Sequence, residues 1–245
     1  LKSYLQGVQF YRRGVVDSSL TAFESAVAAD SAFSLAWRGV ASIYIRTGRE
    51  AAPEAQAALD RAIRFKAGRS PRDSLLLTGD SLRLAVVRRK PMDNDVLAEI
   101  PAVSALFATL REATRRYPGD AELWLELGDA GYHFGALGGV ADSVVLADFT
   151  RAIALDTNVL VPYVHAHALA LRTNRQRDAA MYARALARLA VGPTGAYYRL
   201  QAALLDSAPA ISSSARTLAD SLPAQFAASV LSELMVVPEA APLAL

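Results

Sequence analysis

Apolar residues recur at intervals of three and four along most of the chain, and almost no stretch alternates strictly between apolar and polar positions. This period is typical of amphipathic helices and predicts an all-α protein. Gly14 and Gly48 follow two such patterns and are expected to end helices, because glycine accepts the left-handed conformation common there. Ser70, Pro71 and Asp73 predict a further helix start, with an N-cap serine, a first-turn proline and an acid facing free amides.

A small alanine precedes a large aromatic residue by eleven positions in three places. The pairs are Ala26 with Trp37, Ala113 with Trp124, and Ala152 with Tyr163. The residue pairs 30–31, 117–118 and 156–157 fall at equivalent points between the members of each pair, where one helical pattern stops and the next begins. Such self-similarity predicts stacked helix pairs, each of which buries its apolar face against its neighbours. It favours a binding scaffold over a reaction centre.

These residues resemble tetratricopeptide repeats, whose pattern is W-x2-L-G-x2-Y, then A-x3-F, A and P over 34 residues. Residues 124–128 read W-L-E-L-G and match the opening without a gap. The second helix of the pattern is matched in three places by Phe23 with Ala26, Leu59 with Ala62, and Phe149 with Ala152. Gly131 departs from the pattern, because a tyrosine is usual at its position. The resemblance implies a tetratricopeptide-like α-solenoid of antiparallel helix pairs.

The resemblance also implies how the chain is divided. The repeat array is expected over residues 1–190, and residues 191–245 are expected to form irregular helices, either a degenerate repeat or a cap. The clearest repeats are predicted at 1–33, 34–67, 121–159 and 160–190, with a degenerate stretch at 70–117. Segments 17–30 and 149–156 are similar to repeat regions of bacterial serine/threonine kinases, and such arrays also accompany bacterial transcriptional activators. This suggests the sensing or docking part of a larger bacterial signalling protein.

The amino-acid composition excludes several classes of function. The chain has 245 residues, of which 53% are hydrophobic and 20% charged, and its net charge is only +2, so no global basic field predicts nucleic-acid binding by this segment. It has no cysteine, which excludes disulfides, thiolate metal sites and cysteine nucleophiles. No uncharged apolar run is long enough to cross a membrane. The sequence is therefore compatible with a cytoplasmic location and with the extracytoplasmic part of a membrane-anchored protein. It does not predict the oligomeric state.

No convergent catalytic chemistry is visible in the sequence. Kinase signatures and a nucleophile elbow are missing, and His165 and His167 are two positions apart, which on a helix points them to nearly opposite faces. We therefore expect no enzyme, no metal and no cofactor in this chain, although a region before Leu1 could carry a catalytic domain. The glycines at 128–139 predict a turn between paired helices. Its glycine-rich part, from Gly135 to Gly139, is longer than one repeat needs. The alternative function is a helical-array enzyme or small-ligand binder with a site near this 128–139 turn.

The resemblance also implies where a ligand would bind. In tetratricopeptide arrays the first helix of each pair lines a concave surface that binds peptides. Mapped onto this sequence, the groove comprises Tyr4, Tyr11, Arg12, Arg38, Arg46, Leu125, Tyr132, His133 and Arg172. Arginine and tyrosine are common anchors in binding sites, so a protein or peptide ligand is expected, possibly an acidic one. The opposing interpretation is that these arginines are merely solvated.

Overall fold

The computed structural model describes residues 1–49, 52–65, 69–88 and 99–206, and within these ranges every regular element is an α-helix. The all-α prediction is confirmed. The eleven helices of the described ranges are α1 (Lys2–Arg12), α2 (Val16–Ala29), α3 (Ser34–Arg46), α4 (Pro53–Arg64), α5 (Pro71–Arg88), α6 (Ile100–Arg116), α7 (Ala121–Gly138), α8 (Asp142–Leu155), α9 (Leu160–Arg172), α10 (Gln176–Leu189) and α11 (Gly192–Asp206).

The chain forms two compact units. Unit 1 is Leu1–Leu155 and holds α1 to α8, whereas unit 2 starts at Asp156 and its described part holds α9 to α11. Within each unit, helices that follow one another in the chain pack together. Where only a few residues join two such helices, the pair is antiparallel. The stretch 70–117, where the repeat pattern is weak, contains a complete helix pair, α5 and α6.

Local sequence signals explain the helix boundaries. The Ser70 hydroxyl accepts a hydrogen bond from the Asp73 amide at 3.1 Å, and the Asp73 carboxylate accepts one from the Ser70 amide at 3.4 Å. This reciprocal pair is the capping arrangement expected at the start of α5. Gly14 and Gly48 have φ values of 72° and 69°, the left-handed conformation predicted for them after α1 and α3.

One contact between a glycine and a phenylalanine recurs in unit 1. A Cβ added to Gly7 on α1 would lie 2.7 Å from the Phe23 ring, and one added to Gly128 on α7 would lie 2.9 Å from the Phe149 ring. Phe23 and Phe149 are only 4% and 0% exposed. The glycines therefore let a ring on the second helix of a pair lie directly on the backbone of the first.

The predicted long turn at residues 135–139 is wrong. Helix α7 continues to Gly138, and only Gly139 adopts a left-handed φ, of 65°. The glycines in this stretch provide clearance within the helix packing rather than loop flexibility. A Cβ at Gly131 would lie 2.7 Å from Val145, and one at Gly138 would collide with the Phe107 ring.

The predicted irregular region at 191–245 lies only partly within the described residues. Its first part is the regular helix α11, which begins at Gly192 and packs against α10. Residues 207–245 lie outside the described ranges, so the expectation of a degenerate repeat or cap there stays a prediction. In the ranges that are described, no helix is long and apolar enough to cross a membrane.

Candidate functional site

A set of ion-paired side chains joins three first helices of unit 1, namely α3, α5 and α7. We call this set the inner charge network. It comprises Arg38, Arg46, Arg72, Asp73, Asp80, Arg83, Asp120, Glu122, Glu126 and Asp129. Charged side chains usually remain in water, so the burial of several of these groups requires a specific explanation.

Arg38 on α3 is the centre of the network. It is 8% exposed. Its Nε donates to Asp80 on α5 at 2.7 Å. Its Nη1 donates to Glu122 on α7 at 2.5 Å, and its Nη2 donates to Glu126 at 3.2 Å. One guanidinium therefore connects three helices, and the planar arrangement of its donors makes this possible.

Arg46 and Arg83 extend the network along α7. Arg46 pairs with Glu126 at 2.7 Å and with Asp129 at 3.2 Å, and it lies 5.7 Å from the centre of the Tyr11 ring. Arg83 on α5 pairs with the same Asp129. The Nη2 atom of Arg83 is buried and has no hydrogen-bond partner among the described residues. Such an atom keeps its desolvation cost, so the network is not fully satisfied.

The surroundings shift the pKa values of the network in opposite directions. Burial acts to raise the pKa of Glu122, but the charges of Arg38 and Arg72 outweigh it and hold this pKa at about 2. Burial raises the pKa of Asp80 above its ordinary value, although Arg38 opposes the effect. The pKa of Tyr11 is also raised, mainly by burial. Glu122 thus stabilises the folded state as a carboxylate, whereas Asp80 carries an unfavourable desolvation cost.

The lowered pKa of Glu122 predicts an acid-sensitive contribution to stability. Its ordinary pKa is 4.5, so the stabilisation is fully present above that pH and is lost as the pH falls toward 2. We expect Glu122→Gln to lower the free energy of unfolding at pH 7 by about 1 kcal/mol, a figure reduced because the side chain is partly exposed. Urea unfolding at pH 7, 4 and 3 measures this difference. A difference that does not shrink with acidification would contradict the assignment.

The fold matches that of solved structures. The chain is similar to TTC0263, a thermophilic TPR protein of Thermus thermophilus, with 20% identity and a TM-score of 0.55, over 83% of this chain and 97% of that one. The fold is a tetratricopeptide-like α-solenoid. YrrB, a TPR protein with an unusual peptide-binding site, matches with 15% identity and a TM-score of 0.37, covering 76% of this chain and 84% of that one.

PilW, a type IV pilus biogenesis factor, also matches this tetratricopeptide-like chain. Its identity is 15% and its TM-score 0.44, over 96% of this chain and 91% of that one. No protein-family model matches the chain, and no curated protein is similar to it in sequence. The resemblance to kinase and activator repeat regions therefore stays a prediction.

The tetratricopeptide-like fold brings some predicted groove residues together. Arg46 lies against the Tyr11 ring, and Arg38 shares Glu126 with Arg46, so both guanidiniums are already paired with carboxylates. Tyr4 packs against Phe23 and Phe33, with ring centres 5.8 and 4.8 Å apart.

The remaining predicted groove residues differ in exposure. Leu125 is 4% exposed and packs in the interior, which leaves it almost no surface for a ligand. Arg12 and Tyr132 are partly buried, and His133 is exposed with its Nε2 atom 3.7 Å from Asp129 Oδ1. Arg172 is exposed at the end of α9 in unit 2. Their roles in binding stay predictions.

Sequence reasoning missed the acidic half of the network. Charged side chains are usually solvated, yet Asp80, Glu126 and Asp129 are 6%, 6% and 2% exposed. A signal was present, because residues 122, 126 and 129 have the i, i+4, i+7 spacing of one helix face. That face also carries part of the apolar stripe of α7. Acids at such positions indicate buried partners.

Unit 2 contains a separate buried polar chain. His167 on α9 is 3% exposed, and its Nδ1 atom lies 2.9 Å from the Ala179 carbonyl oxygen on α10. Its Nε2 atom contacts Gln201 on α11, whose amide donates to the Tyr197 hydroxyl at 2.8 Å. The chain connects all three described helices of this unit. These contacts give His167 a structural role in unit 2.

Proposed function

We propose that the chain is a protein-interaction scaffold and that unit 1 binds an extended protein segment at the edge of the inner charge network. The observation that carries this proposal is the concentration of ten charged groups on three first helices of the solenoid. Helix packing alone does not require them, because apolar residues of similar volume would serve equally well or better. Charged groups retained at such a cost are often associated with recognition.

The charges that solvent can reach favour a basic segment. The network contains four arginines and six carboxylates. At its exposed edge the Glu122 side chain is 41% exposed and Asp120 is 23% exposed, against 24% for Arg72. Arg38 and Arg46 are less exposed, at 10% and 14%. We therefore do not propose an acidic ligand. Arg38 and Arg46, which suggested one, are already paired with carboxylates of the protein.

The negative charge at this edge would speed the association of a basic segment and would also contact it in the complex. Complementary charge mainly sets the association rate and the choice of partner, whereas buried aromatic anchors contribute more of the affinity. Tyr4 and Tyr11 lie on α1, and the charges of Glu122 and Arg38 both act on the pKa of Tyr4, so the aromatic and charged groups share one region. Binding is expected to weaken as the salt concentration rises.

The test uses a displayed library of peptides about twelve residues long, selected on the purified protein. We expect enriched peptides to carry lysine or arginine and to bind Glu122→Gln about tenfold more weakly than the unchanged protein. Glu112→Gln is the matched control, because Glu112 pairs with exposed Arg115 and Arg116 on α6 and lies outside the inner charge network. Enrichment of acidic peptides, or equal binding to both variants, would reject a basic ligand at this edge.

Charge reversal at Arg38 or Arg46 is not a useful binding test. Either change would place like charges against buried Glu126, and the chain would lose stability whether or not it binds a partner. Glu122 is a better position because its side chain is already partly solvated.

A place in a larger bacterial signalling protein is a finer proposal, supported by the similarity of segments 17–30 and 149–156 to kinase-associated repeats. Sequencing the coding region on both sides of this segment tests it. A kinase or DNA-binding domain in the same polypeptide would support the signalling role, and a reading frame with neither domain would overturn it.

A further inference from the structure

Unit 1 has a second candidate site, a cavity of about 430 Å³ that shares no residue with the inner charge network. Helices α6 and α8 both pack against α7, and the cavity lies between them. Its apolar wall is formed mainly by Phe107, Trp124, Leu127, Val140 and Val144. This volume falls within the range of small-molecule sites, which are mostly apolar with a few polar groups that orient the ligand.

Two opposite charges face this cavity without meeting. Arg111 comes from α6 and Asp148 from α8. The Arg111 guanidinium lies over the Phe107 ring, 5.3 Å from its centre, which holds the charge against the apolar wall. Within the described ranges, no ion pair or hydrogen bond engages the Asp148 carboxylate. In a structural ion pair the two charged groups would be in direct contact, as they are in the inner charge network.

The environment of Asp148 fits a missing partner. Burial raises the pKa of Asp148 to about 6, and the positive charge of Arg111 only partly opposes this. The carboxylate is therefore ionised at neutral pH at a desolvation cost that the Arg111 charge offsets only in part. A ligand ammonium group placed beside it would offset that cost.

We propose that this cavity binds a free apolar α-amino acid, with the ammonium group at Asp148, the carboxylate at Arg111 and the side chain against Phe107 and Trp124. An amino acid carries an ammonium group and a carboxylate group on the same carbon atom, and the cavity offers a complementary pair of charges that do not contact each other. An arginine fork can hold a carboxylate through two donors. An aromatic and aliphatic wall suits an apolar side chain.

This site also revises the alternative function suggested by the sequence. That alternative placed a small-ligand site near the 128–139 turn. The cavity does adjoin the end of α7 through Val140, but its charged residues are Arg111, Asp148 and the rim residue Arg115, which pairs with Glu112. The glycines contribute by letting α6 and α8 approach α7 rather than by cradling a ligand.

The experiment titrates the full chain with L-phenylalanine, L-leucine and L-tryptophan by calorimetry. Trp124 fluorescence in a Trp37→Phe background gives a second readout for phenylalanine and leucine, because the chain has only two tryptophans. We expect saturable binding with a dissociation constant at or below about 1 mM. Absence of saturable binding for all three amino acids would overturn the proposal.

Ligand analogues test each charge in the unchanged protein. N-acetyl-L-phenylalanine lacks the ammonium group and mimics a peptide C-terminus, whereas L-phenylalaninamide lacks the carboxylate and mimics an N-terminus. We expect both to bind at least about tenfold more weakly than phenylalanine. Equal binding of the acetylated or amidated form would overturn the assignment to a free amino acid, in favour of a chain terminus.

Protein variants test the residues themselves. Asp148→Asn and Arg111→Gln are each expected to weaken phenylalanine binding about tenfold or more, while Asp142→Asn and Arg116→Gln, on the same helices but outside the cavity lining, are expected to leave it unchanged. Asp148→Asn removes a half-buried carboxylate whose ionised form is disfavoured by burial, and it should raise the melting temperature, so lost binding would not reflect unfolding. Unchanged affinity in both cavity variants would refute the site.

Discussion

Replacing Arg38 with methionine is expected to lower the free energy of unfolding by about 3–5 kcal/mol. The reason is the charge that remains rather than the bond that is lost. Asp80 and Glu126 are both 6% exposed, and without the Arg38 guanidinium they remain buried with less compensation. Glu122 and Glu126 keep Arg72 and Arg46 as partners, so Asp80 suffers most. Urea unfolding followed by far-ultraviolet circular dichroism measures the change.

The double variant Arg38→Met with Asp80→Asn separates this explanation from a loss of packing. If an uncompensated carboxylate is the cause, the second change should recover part of the lost stability. Arg116→Met serves as the control, because Arg116 is 52% exposed in its pair with Glu112 and its removal should have little effect. An Arg38→Met protein as stable as this control would mean that the network is solvated in solution.

Replacing Phe149 with alanine is expected to cost about 3–5 kcal/mol of unfolding free energy. Phe149 is fully buried, and its ring lies on the backbone of α7 at Gly128. Removal of the ring leaves a cavity between α7 and α8 that rigid helices cannot close. Thermal and urea unfolding both report the loss, and Val144→Ala on the same helix is the control, since Val144 is 49% exposed.

A double-mutant cycle with Gly128→Ala tests the contact itself. Alone, the added methyl group would lie 2.9 Å from the Phe149 ring, and the overpacking should cost about 1–3 kcal/mol. In the Phe149→Ala background the ring is gone, so the same substitution should instead stabilise α7 by up to about 1 kcal/mol, because alanine favours helix more than glycine does. Additive effects would show that the two positions do not touch in solution.

The helices were predictable from the sequence because their signals are local. The capping pair at Ser70 and Asp73 and the left-handed glycines Gly14 and Gly48 involve residues a few positions apart, so their chemistry can be interpreted without a structure. The repeat pattern was also predictable, because Phe23 and Phe149 occupy equivalent positions in two helix pairs and pack on Gly7 and Gly128. Each of these contacts lies within one helix pair, between residues that are 16 and 21 positions apart.

The turn at 135–139 was mispredicted because glycine has two uses. It can supply unusual backbone conformations, or it can make room for a neighbour, and only the three-dimensional packing distinguishes them. Gly138 makes room for Phe107, which is 31 positions away. The inner charge network was beyond sequence reasoning for a similar reason. Arg38 meets Asp80, Glu122 and Glu126, which are 42, 84 and 88 positions away.

The reach of Arg38 changes how unit 1 is expected to unfold. In most helical-repeat arrays each repeat touches only the next, so terminal repeats can fray while the rest stays folded. Here a side chain of the second helix pair binds carboxylates of the fourth pair, two repeats away. Loss of the fourth pair would therefore remove partners from the second as well. Unit 1 should accordingly melt as one cooperative block, with less partial opening than a simple nearest-neighbour chain of repeats would allow.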